Sequence, residues 1–382
     1  MQGGEVVYQW GDYDKKITSY SIRKSLISAL YGIYSSEGVI NVNDTLEQLA
    51  IDDSPDPLAK QEKRARVVDL LRARSGVYHA VDFESPAQIS SRPPRGSHAP
   101  GTFWFYNNWD FNVLGTIFEK KTGKKIGQAF YERIAKPIGM QDFSPDDVFY
   151  LGGTESIHPA YLFEISARDL ARFGLLYLRH GRWENKQIVP EDWIDKSTHA
   201  NEMVQFGGKD AGGYEYLWWV EYGGKHLPDA TLPGMYSARG AGGHCVLVIP
   251  SLDLVIVHRV DNDAPNKDVK SVIEEGLRPL VNSASFAHLV KLILDARTGE
   301  NPTPKAGAPS ASEPSNLSSA PAEAYSPVPE ANKLFLEAFW SVFPRHQPPL
   351  RYHDSPSSQD WSMLWISPDA APSSAVPPER LP

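Results

Sequence analysis

The sequence contains almost none of the residues from which disulfide frameworks and metal sites are built. The chain has 382 residues and a single cysteine, Cys245, so no disulfide can form within it. Its eleven histidines are scattered, and none belongs to a His-Glu-x-x-His pair or a similar ligand set. Glycine-rich nucleotide-binding loops are also missing. We therefore predict neither a metal nor a cofactor, and we expect Cys245 to be a small buried residue on a strand.

Long apolar runs and basic patches are missing as well. No stretch is apolar and long enough to span a membrane. The net charge of −9 offers no surface for nucleic acid, and we expect no nucleic-acid partner. No signal peptide is visible at Met1, and residues 5–10 are typical of a strand. Since that strand comes so early, we expect a shortened N-terminus, and the compartment and the oligomeric state stay open.

The most informative pattern is a serine and a lysine three positions apart. Ser21 and Lys24 begin an apolar-periodic segment that is typical of a buried helix, and the Ser-x-x-Lys pattern occurs once in the chain. Residues with this spacing share one helix face, so a lysine with a lowered pKa can take the serine's proton. The alternative is a serine that caps the helix beside a solvated lysine.

A second pattern, Tyr106 and Asn108, follows an aromatic run that is typical of a strand over residues 101–106. An amphipathic helix is predicted from Phe111 to about Lys121. A tyrosine placed between a strand and a helix can face a cleft and relay a proton. The alternative is a core aromatic residue followed by a turn asparagine.

A third, glycine-rich pattern covers residues 239–244 and leads into a hairpin predicted over residues 245–258. Its glycines would let a ligand approach the strand backbone closely. A Lys-Thr-Gly sequence at residues 121–123 is interpreted instead as a helix end, with Gly123 as its cap.

The three patterns occur in the order of the serine β-lactamase and penicillin-binding-protein superfamily, which this chain resembles over roughly residues 5–295. It is most similar to the class C branch, with its esterases, D-aminopeptidases and 6-aminohexanoate-dimer hydrolases. The resemblance implies an α+β fold, an α/β sandwich. In that fold an antiparallel sheet is flanked by helices, and the active site lies between the sheet and a mostly helical region.

The resemblance also implies roles for individual residues. Ser21 would be the acylated nucleophile, Lys24 its base and Tyr106 the proton shuttle, with Asn108 holding both of the last two. The oxyanion hole would consist of the backbone N–H groups of Ser21 and His244.

The third pattern departs from the family, which commonly has Lys or His where this chain has Ala241. Substrate binding would involve Gly243, the neighbour of His244, and Arg239. We expect Arg239 to share a strand face with Ala241 and to replace part of the missing charge.

The composition divides the chain into two parts. Residues 1–297 are predicted to form the hydrolase domain, and about half of the 31 prolines lie beyond them. Residues 298–382 are therefore interpreted as a largely disordered tail that is rich in Pro, Ser and Ala, with an apolar island near residues 333–343.

The sequence thus predicts a serine hydrolase that acts through an acyl-enzyme on a small ester or amide. Two alternatives remain open. One is a catalytically silent protein of the same fold that binds or scaffolds, and the other is a β-lactamase or DD-peptidase.

Overall fold

The computed structural model describes residues 1–298 except for 83, 228, 263–280 and 282. The helices are α1 (Ile22–Ser36), α2 (Val67–Leu71), α3 (Pro86–Ser91), α4 (Asn108–Thr122), α5 (Ile126–Phe130), α6 (Ala167–Leu178), α7 (Glu191–Thr198) and α8 (Ser283–Thr298). The strands are β1 (Ile17–Thr18), β2 (Val148–Leu151), β3 (Ala160–Ile165), β4 (Arg182–Trp183), β5 (Lys186–Gln187), β6 (Gln205–Phe206), β7 (Lys209–Asp210), β8 (Gly213–Glu215), β9 (Trp218–Val220), β10 (Tyr236–Gly240), β11 (His244–Ile249) and β12 (Leu254–His258).

A five-stranded antiparallel sheet in the order β12-β11-β10-β9-β8 forms one side of the molecule. Side chains alternate along β11, so Val246 and Val248 enter the main core with α1 and α6. Cys245, Leu247 and Ile249 enter a second core that includes residues of α8. Both faces of the sheet are therefore covered by helices, which explains why β11 is an unbroken apolar run.

Helix α1 lies at the centre of the molecule. All of its residues from Ile22 to Tyr34 are buried, and it contacts α4, α5, β3 and β10. A smaller antiparallel sheet, in the order β1-β3-β2, holds the segment that leads into this helix. The α+β architecture predicted from the sequence is confirmed, with α1 packed between the large sheet and the helical region.

Several predicted elements are confirmed. The helix after Ser21 and the hairpin of β11 and β12 form as expected. Ser166 and Asp169 have the spacing that predicts the start of a helix, and Ser166 caps α6 by accepting a hydrogen bond from the Asp169 amide. Gly123 ends α4 with a φ of 67°. Cys245 is buried on β11, and burial raises the pKa of its thiol to about 12.

Three predicted strands are wrong or only partly right. Residues 5–10 form no strand, since the outer edge of β12 is occupied by Met1, which exchanges hydrogen bonds with Val255. Residues 101–105 run as a loop. Residues 214–220 have the apolar composition that predicts a single strand, but they form a hairpin of β8 and β9, because Tyr216 and Leu217 both adopt positive φ and make a two-residue turn. The tail and its apolar island lie outside the described residues.

Within the described part of the chain, no helix combines the length and apolarity needed to cross a bilayer. Helix α5 packs very closely on the 3₁₀ turn Pro145–Asp147. A Cβ atom on Gly127 would lie 2.2 Å from the carbonyl oxygen of Pro145, so this contact requires glycine.

We predict that Gly127→Ala lowers the free energy of unfolding by about 1–3 kcal/mol, because overpacking outweighs the better helix propensity of alanine. Urea denaturation would measure the change. Gly152→Ala is the matched control, since its new Cβ would meet nothing closer than 3.8 Å and should change stability by less than about 0.5 kcal/mol. Equal midpoints for the two variants would contradict the prediction.

Candidate active site

The structure brings Ser21, Lys24 and Tyr106 together. The Nζ atom of Lys24 lies 2.6 Å from the Ser21 Oγ and 2.7 Å from the Tyr106 Oη. Lys24 is only 2% exposed, whereas Ser21 is partly open to solvent. The Ser21 side chain makes no capping hydrogen bond to α1. Ser21 therefore does not cap the helix through its side chain, and Lys24 is not solvated, so the alternative is wrong.

The backbone before α1 sets the position of Ser21. Tyr20 adopts a φ of 47°, a left-handed conformation that costs a tyrosine about 1–3 kcal/mol. The amides of Ile22, Arg23 and Lys24 donate to carbonyls only three residues back, so the first turn of the helix is tight. In contrast, the Ser21 amide has no hydrogen-bond partner among the described residues, which leaves it available to an oxyanion.

Burial and a neighbouring cation act on the Lys24 ammonium. Desolvation, followed by the charge of Arg23, lowers the pKa of Lys24 well below its usual range. The rings of Tyr106 and Phe111 lie 4.4 and 4.5 Å from Nζ and favour the cation, but burial has the larger effect. Lys24 therefore has a strong tendency to be a neutral amine.

Arg23 is a residue of the site that the sequence did not identify. It is 4% exposed, donates to the Asn112 Oδ1 at 2.8 Å and lies 4.4 Å from the centre of the Tyr161 ring. None of the ion pairs in the described residues involves it. The one available signal was its position, next to Lys24 inside a segment that is otherwise apolar.

Tyr106 sits in a cluster of aromatic rings. Burial raises the pKa of its phenol to about 12, and a hydrogen bond with Ser21 opposes part of that rise. Five ring centres lie within 4.9–6.4 Å of its own, namely those of Trp104, Phe111, Phe206, Tyr214 and Trp219. The phenol therefore keeps its proton at neutral pH while its Oη stays beside the amine.

Asn108 is the first residue of α4 and is buried, with its Nδ2 3.5 Å from the Gln88 Oε1. Its predicted contact with Lys24 stays a prediction. Asp110, which the sequence did not single out, is fully buried nearby and is hydrogen-bonded by Ser75 and Asn107. Burial raises the pKa of Asp110 well above its usual range. The signal for it was an acidic residue in the first turn of a helix whose next residues are largely apolar.

The glycine-rich segment runs beside the turn that carries Ser21. Strand β10 ends at Gly240, where a Cβ atom would lie 2.6 Å from the Ser19 carbonyl oxygen and 3.5 Å from the Tyr20 Cβ. Gly242 and Gly243 follow with φ values of 85° and 106°. The close approach in the structure is that of the chain at Ser19 and Tyr20, and it needs Gly240. The expected approach of a ligand stays a prediction.

His244 is the first residue of β11 and pairs with Gly240, so its backbone lies at the end of the ladder nearest to Ser21. Its ring is engaged elsewhere, since Nε2 lies 2.9 Å from the Asn262 Oδ1 and Nδ1 accepts from the Arg259 Nε at 2.8 Å. Burial, and then the charge of Arg259, hold the pKa of His244 well below its usual range. Its side chain is thus held by Asn262 and Arg259, and the predicted role of its backbone N–H stays a prediction.

Arg239 and Ala241 do not share a strand face, contrary to expectation. The strand ends at Gly240, and Ala241 is an exposed turn residue. Arg239 donates through Nε to the Ser237 Oγ at 2.8 Å, and its guanidinium lies 5.4 Å from the centre of the Trp219 ring. The cation on this strand is therefore Arg239, next to the aromatic cluster around Tyr106.

No group of three or more His, Cys, Asp or Glu side chains suited to a metal ion occurs among the residues that the structure describes. The expectation that no cofactor is needed stays a prediction.

Curated relatives match parts of the chain. It is 22% identical over 245 residues to a teichoic acid D-alanine hydrolase of Staphylococcus aureus, covering 60% of this chain and 58% of that protein. It is 32% identical over 105 residues to a D-aminopeptidase of Brucella anthropi, covering 23% of this chain and 20% of that protein. The chain thus spans well under two thirds of the length of these relatives.

Among solved structures, the chain is similar to a Bacillus anthracis protein provisionally named a 6-aminohexanoate-dimer hydrolase. The identity is 21%, the TM-score is 0.52, and the match covers 71% of this chain and 75% of that one. This likeness concerns the fold. The family model described as Beta-lactamase matches residues 1–275, a range that contains every residue of the candidate site. Since this match covers well over half of the sequence, the chain belongs to the beta-lactamase family.

Proposed function

We propose that this protein is a serine hydrolase that cleaves a small ester or amide through an acyl-enzyme. The observation that carries the proposal is the buried Lys24 amine, which lies within hydrogen-bond distance of both the Ser21 hydroxyl and the Tyr106 phenol. A nucleophile, a base with a lowered pKa and a proton donor at these distances are the components that acyl transfer needs.

In acylation, neutral Lys24 takes the Ser21 proton while Oγ attacks the substrate carbonyl carbon. The resulting oxyanion accepts hydrogen bonds from the amide of Ser21 and, in this proposal, from that of His244. Tyr106 then protonates the leaving oxygen or nitrogen as its bond to carbon breaks, and Lys24 returns a proton to the phenol across 2.7 Å. Water hydrolyses the serine ester by the reverse proton path, which frees Ser21 and the acid.

The names of the related proteins favour an ester or amide substrate, and the position of Arg239 favours a substrate that carries a carboxylate. The curated relatives are named for D-alanine hydrolysis and D-aminopeptidase activity, which are ester and amide chemistry on small groups. We propose that Arg239, which lies over Trp219 beside Tyr106, attracts a carboxylate on the substrate. A β-lactam or a cell-wall peptide remains the second candidate substrate, and a silent binding protein is the alternative to an enzyme.

We predict that a fluorophosphonate probe labels the wild-type protein on Ser21 and leaves Ser21→Ala unlabelled, because the probe needs an activated hydroxyl. Peptide mass mapping would locate the adduct. Ser36→Ala is the matched control, since Ser36 lies at the other end of the same helix and bonds to the Ile33 carbonyl. An unlabelled wild-type protein, or a label elsewhere, would favour the silent alternative.

We predict that the acylation rate rises with pH and levels off below the ordinary lysine pKa of about 10.4. The sign follows from the lowered pKa of Lys24, because only the neutral amine accepts a proton, and burial makes it neutral at a lower pH. The pKa of Tyr106 is raised to about 12, so its ionisation does not bend the profile below pH ~11. Burst kinetics with 4-nitrophenyl acetate would record the profile.

Two variants separate the roles of the base and the shuttle. Tyr106→Phe should keep the rise of the acylation rate with pH, while it lowers the rate for a poor leaving group by about 10²–10⁴-fold. Lys24→Met should remove this rise together with most of the activity. If the residual rate of Lys24→Met still rises with pH in the same range, then Lys24 is not the base.

We predict that Arg239→Ala lowers kcat/KM about tenfold or more for 4-acetoxybenzoic acid but little for phenyl acetate, because only the first carries a carboxylate, on the leaving group that Tyr106 protonates in this proposal. Arg239→Lys, which keeps the charge, should recover much of the loss. Unchanged kinetics on both esters would refute this role of Arg239. A chromogenic cephalosporin in the same panel would test the β-lactam alternative.

A further inference from the structure

A short hairpin beside the candidate site lies outside the five-stranded sheet. Strands β6 and β7 are joined by Gly207 and Gly208, whose φ values of 59° and 74° suit a tight two-residue turn. All residues from 205 to 210 are exposed, while the base is anchored by buried Val204, whose amide donates to the Gly212 carbonyl at 2.8 Å. The hairpin is thus a narrow arm with a fixed base.

Phe206 on this arm lies against the phenol of the site. Its ring centre is 5.5 Å from that of Tyr106 and 5.4 Å from that of Trp219, both edge-on at 73°. The side chain is nevertheless 48% exposed, and its strand partner is Lys209. Of the five rings around Tyr106 in the described residues, Phe206 is the exposed one. One part of the Phe206 side chain thus packs on the aromatic cluster, and the other part remains open to solvent.

We propose that Phe206 determines specificity by contacting the leaving group of the substrate, and that it favours planar, aromatic leaving groups. The inference rests on the proposed function, in which the Tyr106 Oη protonates the leaving atom. The remainder of the leaving group must then lie beside that phenol, and Phe206 is the most exposed of the rings around it in the described residues.

The chemistry of the surface explains the preference for an aromatic group. Tyr106 and Trp219 are stacked at 25°, and Phe206 meets both rings edge-on, so a planar group can add further edge-to-face contacts. The Arg239 guanidinium over Trp219 adds a cation next to the same π surface. A short aliphatic leaving group reaches too little of this surface to gain from it.

The test compares benzyl acetate with methyl acetate. Both esters give the same acetyl-enzyme, so a difference between them reports acylation alone. Phe206→Ala should lower kcat/KM for benzyl acetate about three- to tenfold, which corresponds to one lost aromatic contact, and for methyl acetate less than twofold. Phe206→Trp should restore the preference. Phe103→Ala is the control, since Phe103 is also exposed (40%) but stacks on His98 at 4.0 Å.

Other outcomes would overturn the proposal. An equal loss for the two acetates would mean that Phe206 acts only by holding Tyr106. A loss that follows acyl length, with methyl hexanoate more affected than methyl acetate, would place Phe206 on the acyl side. No loss at all would show that it does not touch the substrate.

A binding measurement separates this proposal from the proposed function. In Ser21→Ala, which cannot be acylated on this residue, NMR titration with benzyl acetate should show binding that Phe206→Ala weakens about three- to tenfold. If the wild-type protein is never acylated, the hydrolase proposal fails, but Phe206-dependent binding would still support the contact. Binding that is independent of Phe206 would refute it.

Discussion

The arrangement of the site depends on one costly feature, a lysine amine buried without a carboxylate partner. Lys24 is 2% exposed, and none of the ion pairs within the described residues includes it. An ammonium group in such a place loses its hydration, and Arg23 beside it adds repulsion. The surroundings therefore favour a neutral amine, which can donate to Tyr106 and still offer a lone pair to Ser21. If a carboxylate replaced either oxygen, the lysine would stay charged and useless as a base.

Several other features of the fold follow from the need to hold this amine in place. Helix α1 is buried on all sides, which fixes Ser21 and Lys24 relative to each other and excludes water from the amine. The strained backbone of Tyr20 lies between β1 and α1 and places Ser21 at the start of the helix. Gly240 allows β10 to pass against that same turn, where any side chain would collide with the Ser19 carbonyl. The strained backbone of Tyr20 and the close contact of Gly240 are thus both next to Ser21, where the buried helix α1 gives them a rigid support.

The sequence predicted what depends on local pattern. Spacing placed Ser21 and Lys24 on one helix face, and the family resemblance that the three patterns carry implied the α+β fold. The prediction from sequence failed where contacts between distant segments determine the local structure. The apolar run at residues 214–220 has the composition of one strand, but in the structure Tyr216 and Leu217 form a turn between two strands. Likewise, the side chains of Arg239 and Ala241 would lie on one face only if β10 continued past Gly240, where it ends.

The contributions of Arg23 and Phe206 could not be predicted, because each depends on which distant segment lies beside it. Arg23 contacts Tyr161 and Asn112, and Phe206 meets a tyrosine one hundred positions earlier in the chain. The same aromatic cluster has two effects on the chemistry. It dehydrates the amine and phenol, which lowers the pKa of Lys24 and raises that of Tyr106. It also extends to the surface through Phe206. In the proposed mechanism this cluster would both tune the proton transfers and form the surface beside the leaving group, so leaving-group preference and proton transfer would be coupled through Tyr106.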